Sequence, residues 1–136
     1  MYMSNKNQEW ISNLRTTFDE ETAMFELLPE GWVKTFVPQM KEQIFKTLGM
    51  YAGEFVVLDV KEKYGQLRVY WTWKTIEHSA NEVNDLIEIQ KDIDDILFYY
   101  ETLSENTCAF CGNKANYFSK RYDVPICEVC AKKKLE

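Results

Sequence analysis

The chain has 136 residues, 46% of them hydrophobic and 15% aromatic, which suits one domain with a buried core and excludes a disordered chain. Its formal net charge is −6, unevenly spread: residues 1–106 carry 10 Lys+Arg against 19 Asp+Glu, and residues 107–136 carry 6 against 3. The acidic part excludes broad non-specific wrapping of nucleic acid, whereas the basic tail leaves a local anionic contact open.

No apolar run approaches the roughly 20 residues that cross a bilayer. The polar stretch Met1 to Gln8 has no apolar signal segment, so the expectation is a cytoplasmic protein. Residues 7–18 read as a short helix with Trp10, Ile11, Leu14 and Phe18 on one face. Met24, Phe25, Leu27 and Leu28 form an apolar patch interrupted by Pro29, and Gly31-Trp32 reads as a turn. A second helix is expected from Val37 to Leu48, with Pro38 in its first turn and Gly49 as its stop.

Residues 54–74 read as a β-hairpin that turns at Tyr64-Gly65, where glycine supplies a positive φ. A two-residue loop pairs Lys63 with Gln66, Val60 with Val69, Leu58 with Trp71 and Val56 with Trp73, giving one apolar face. The other face then carries Val57, Asp59, Lys61, Lys63, Gln66, Arg68, Tyr70 and Thr72, with Lys61 opposite Arg68. Ser79 and Glu82 form a capping box for a long helix over 79–104. Its stripe Leu86, Ile89, Ile93, Ile96, Tyr100 and Leu103 most simply covers the hairpin's apolar face. A dimer through this helix is the sharper reading.

All four cysteines lie in the tail as Cys108-x-x-Cys111-Gly112 and Cys127-x-x-Cys130. Each pair can chelate one edge of a metal ion, and two pairs complete a tetrahedron. Four thiolates leave no open position, so the expectation is one structural Zn2+ per chain bound by Cys108, Cys111, Cys127 and Cys130. Disulfides do not suit a reducing cytosol, and no βαβ context surrounds either pair to suggest a redox dithiol. The intervening residues suit a hairpin, with Tyr117 to Lys120 and Val124 to Ile126 as strands, before a terminal helical turn. That order describes a zinc ribbon or a treble clef.

No catalytic constellation stands out. His78 precedes the helix cap and reads as a solvated turn residue. Asp92 and Asp94 stand two apart on a helix and share no face. Trp32, Trp71 and Trp73 read as core anchors. An enzyme would need an open metal position or an activated nucleophile, and the sequence offers neither. Lys61, Lys63, Arg68 and Tyr70, with Lys120 and Arg121 on the zinc module, are candidates for holding an anion or a partner. The simpler alternative for the hairpin cations is a solvated face paired with carboxylates.

Gly31-Trp32 followed by a helix, then Val60-Lys-Glu-Lys-Tyr-Gly-Gln-Leu-Arg68-Val-Tyr70, then a helix and a C-x-x-C-G knuckle, resembles a group of small bacteriophage and prophage proteins. In that group the central stretch reads close to V-K-E-K-F-G-G-L-R-F-Y, and this chain departs from it at Tyr64, Gln66 and Val69. The resemblance spans residues 31–131, leaves 1–30 uncovered, and carries no settled activity. It implies a phage accessory protein in a bacterial cytoplasm.

The expected fold is α+β: helices packed on a β-hairpin form a body over 1–105, and residues 106–136 form the four-cysteine zinc module. The expected function is a non-enzymatic interaction protein that binds a host or phage protein, for instance to block a host defence. Two alternatives remain. One is a nucleic-acid-binding module that uses Lys114, Lys120, Arg121 and Lys132 to Lys134 with the hairpin cations. The other is a protein that sequesters a small anionic nucleotide.

Overall fold

A computed structural model describes residues 5–135 of the chain, so residues 1–4 of the polar N-terminal stretch and Glu136 lie outside the description. Among these described residues the fold is α+β, with five α-helices and two small antiparallel two-stranded sheets. Helix α1 spans Asn5–Glu21, and a 3-10 turn, Ala23–Leu27, leads to the short α2, Glu30–Thr35. Helix α3 is Val37–Leu48, followed by a second 3-10 turn, Gly49–Glu54. Strands β1, Phe55–Lys63, and β2, Gln66–Trp73, form the central hairpin, and the long α4 runs Ala80–Ser104. The tail holds β3, Tyr117–Ser119, β4, Val124–Ile126, and α5, Glu128–Leu135. Among the described residues, no helix is long and apolar enough to cross a membrane.

The core forms where α1, α3 and α4 meet the hairpin. Phe18, Phe25, Trp32, Phe36, Met40, Ile44, Phe55, Leu67, Ile93 and Tyr100 are all buried there. Helix α3 has the expected bounds: Pro38 lies in its first turn, where no intrahelical donor is lost, and Gly49 ends it at φ +54°. The capping box of α4 is present, with Ser79 and Glu82 exchanging side-chain and backbone hydrogen bonds at 3.2 and 3.0 Å. The stripe of α4 packs inside its own chain, against β2 and α3, and gains Leu97 as a further buried member.

Three expectations are corrected. In α1 only Leu14 and Phe18 of the predicted face join the core, while Trp10 and Ile11 are exposed. Gly31-Trp32 is no turn: both residues sit buried inside α2. The hairpin register holds from Lys63↔Gln66 to Val60↔Val69 and then slips at a bulge between Val57 and Asp59. Beyond it Val57 pairs with Trp71 and Phe55 with Trp73. Phe55 and Val57 therefore face the core, and Leu58 points out at 61% exposure. The Glu21 carboxylate accepts the Val57 N–H at 2.9 Å, beside the bulge. Because the run Phe-Val-Val-Leu is apolar on both faces, periodicity could not choose between the registers.

His78 also departs from expectation. Its side chain is only 10% exposed and sits between two carboxylates, Glu54 at 2.6 Å and Glu82 at 3.4 Å. Desolvation pulls its pKa down, but the hydrogen bonds and charges of Glu82 and Glu54 outweigh that and leave it raised above the ordinary value of 6.5. A raised folded pKa adds stability in full below the unfolded value and loses it as pH rises through the folded one. His78→Gln is expected to lower the melting temperature clearly at about pH 6 and much less at about pH 9. Thermal melts at the two pH values check this.

Candidate metal centre

The first cysteine pair lies on a knuckle built by backbone geometry. The Cys108 N–H donates to the Asn113 carbonyl at 2.7 Å and the Gly112 N–H to the Cys108 carbonyl at 2.9 Å. Gly112 takes φ +85°, which lets the chain fold back under the sulfurs. The second pair starts α5, and the Asn116 side chain accepts the Glu128 N–H at 3.3 Å in its first turn. The strand pair β3–β4 joins the two halves through Tyr117↔Ile126 and Ser119↔Val124.

The result is convergence of all four thiols, whose sulfurs lie within 4.8 Å of one another. Cys111 Sγ and Cys127 Sγ are 3.5 Å apart, and the Cys130 N–H points at Cys127 Sγ at 3.4 Å. Burial pushes the Cys108 thiol up, but the backbone amides of Cys111, Cys127 and Phe110 outweigh it and bring it down to about 6. Cys130 is pushed up to about 12, by burial first and then by the neighbouring thiols. One thiolate thus forms readily and its charge opposes the others, a conflict that a bound cation removes. The four cysteines are placed to bind one metal ion.

The knuckle does not hang free of the body. Gly31 of α2 donates its N–H to the Ala109 carbonyl at 2.8 Å, and the Trp32 indole N–H donates to the Thr107 carbonyl at 3.0 Å. The Thr35 hydroxyl donates to the Gly112 carbonyl at 3.3 Å. A methyl group on Gly31 would fall on the Cys108 carbonyl oxygen, the Gly112 nitrogen and the Ala109 carbonyl carbon. Backbone lies directly on backbone here, and only glycine permits it. At the hairpin tip, Gly65 packs against the Phe118 ring and Pro125 of the module. The Ser104 hydroxyl accepts the Leu67 N–H at 2.9 Å close to the same junction.

No family model matches the chain, and no curated protein or solved structure matches it.

The other sequence candidates fall into two groups. Lys61 faces Arg68 across the hairpin as expected, but its ammonium meets Asp59 at 3.1 Å and lies 5.9 Å from the Tyr70 ring. Arg68 is half-buried, and its charge acts on Glu101, whose carboxyl burial pushes up. Lys63 lies at the hairpin tip, over the Tyr64 ring at 5.9 Å. On the module, Lys120 and Arg121 flank a cleft of about 490 Å³ walled by Tyr117, Phe118, Tyr122 and Ile126. Lys134 lines it as well, over the Phe110 ring at 4.2 Å, while the Arg121 guanidinium lies 5.3 Å from the Tyr122 ring and donates to the Lys134 carbonyl. Among the described residues, no carboxylate lies within ion-pair distance of Lys120, Arg121 or Lys134.

Sequence reasoning missed Gly31 and the aromatic cleft. A glycine directly before a buried tryptophan was the available signal for the first. The second depended on β3 and α5 facing each other, which spacing alone does not show. Gly31→Ala is expected to cost about 2–3 kcal/mol through overpacking. Because the clash is with the backbone of the knuckle, chemical denaturation should show the loss directly. An unchanged denaturation midpoint would contradict the docking described.

Proposed function

We propose that this chain is a non-enzymatic zinc-binding interaction protein that holds a host or phage component through its tail module. The observation that carries this reading is the convergence of four thiols within 4.8 Å, which fills a tetrahedral ion's coordination and leaves no site for a substrate. Zinc suits the donor set. A Zn–S distance of about 2.3 Å puts tetrahedral thiolates about 3.8 Å apart, close to the 3.5 Å between Cys111 Sγ and Cys127 Sγ. The order knuckle, hairpin, helix, with the second pair at the start of α5, favours a treble clef over a ribbon. When bound, the ion supplies folding energy to a tail too short to bury a core of its own.

The resemblance to small phage and prophage proteins supports a phage accessory protein, with blocking of a host defence as one form of it. Surface chemistry supports an interaction module: exposed aromatics and cations without carboxylate partners line one cleft on an otherwise acidic protein.

The test is native mass spectrometry of the tagged chain, purified gently from bacterial cells, beside Lys120→Glu/Arg121→Glu. One zinc per chain is expected in both proteins, with a co-purifying component on the wild type that the variant loses. A folded chain without metal contradicts the zinc reading. A component that the variant retains in full contradicts the placement of the interaction surface.

A further inference from the structure

We infer that the module's cleft and the adjoining hairpin tip form a binding site for single-stranded nucleic acid. This deepens the interaction reading above and rests on it. Tyr117, Phe118 and Tyr122 are all exposed although they stand on a metal-stapled module with little apolar surface to spare. Gly65 seats the β1–β2 turn on Phe118, which brings Lys63 and Tyr64 next to this cluster. Aromatic faces are thereby interleaved with Lys63, Lys120, Arg121 and Lys134. Unstacked bases use such faces and phosphates use such cations, whatever the base sequence.

Tyr64 strengthens the case independently. It is 80% exposed and adopts φ +52°, with Gly65 at φ +83°, so both central residues of the turn are left-handed. Such turns favour Asn-Gly, and a bulky aromatic there is strained. Burial does not explain this tyrosine, because its ring covers no core. A base-stacking platform at the edge of the cleft explains it.

Charge sets the limits of the ligand. The rest of the chain is strongly acidic and repels a long duplex laid across it. A cleft of about 490 Å³ admits one or two unstacked nucleotides and not a paired helix. A hydrophobic anchor from a protein partner would also fit the walls. It would not account for a strained, exposed tyrosine under Lys63 on a turn that packs against the module.

The test is fluorescence anisotropy of the zinc-loaded full chain with labelled dT12, rU12 and a 12-base-pair duplex. We expect dissociation constants of about 1–100 μM for the single strands at low salt, and a log–log salt slope between about −2 and −3 from four cations. The relative affinities of dT12 and rU12 tell DNA from RNA. Tyr64→Asn should raise the melting temperature, because asparagine tolerates the turn, and yet weaken single-strand binding at least about fivefold. Lys120→Glu/Arg121→Glu should reduce binding about tenfold or more and flatten the salt slope. A merely structural Tyr64 would not move stability and affinity in opposite directions. The inference is overturned if neither strand binds, if the duplex binds as well as the strands, or if both variants bind like wild type. If no strand binds while Lys120→Glu/Arg121→Glu still loses a protein that co-purifies with wild type, the nucleic-acid assignment falls and the interaction reading stands.

Discussion

The structure depends on one close approach, the seating of the cysteine knuckle on the backbone of α2 at Gly31. Three hydrogen bonds cross it, from the Gly31 amide, the Trp32 indole and the Thr35 hydroxyl, and each accepting carbonyl belongs to a residue next to Cys108 or Cys111. A metal ion held by the four cysteines would fix these carbonyls in place, and Trp32 needs its Thr107 acceptor to stay satisfied while fully buried. The cysteine site and the packing of Trp32 are therefore linked through a few atoms. The coupling extends to the hairpin tip, where Gly65 lies on Phe118.

This junction also sets where the exposed aromatics and the cations without carboxylate partners sit. An acidic body alone offers little to an anion. Docking the basic tail beside the β1–β2 turn brings Lys63 and Tyr64 to the module's aromatics and cations. Of the central hairpin cations, Lys61 pairs with Asp59, while Arg68 is half-buried near Glu101 with its buried Nε left without a hydrogen-bond partner. Among the described residues, Lys61 thus has a carboxylate partner within the fold, whereas Lys63, Lys120, Arg121 and Lys134 have none.

Much of the fold was legible because several signals were local. The Ser79–Glu82 capping box, Pro38 and Gly49 around α3, and Tyr64-Gly65 at the turn each fix a boundary through nearby atoms, and each stands where the sequence puts it. The cysteine spacing foretold the convergence of the thiols for the same reason. What was not legible depended on partners distant in the chain. The bulge at Leu58 involves Glu21, far earlier in sequence, and the run Phe55 to Leu58 fits either register. His78 looked solvated until Glu54 and Glu82 closed on it. Gly31 looked like a turn residue because nothing nearby reveals a knuckle more than 70 positions later lying on its Cα.

The most direct test of this account is hydrogen exchange read residue by residue on the metal-loaded chain and again after chelation. Removing the ion should expose the amides of Cys108 to Cys130 and, with them, the Gly31 amide and the Trp32 indole, while the centres of α3 and α4 stay protected. Loss confined to the tail, with Gly31 and Trp32 as protected as before, would contradict the coupling between the metal centre and the core.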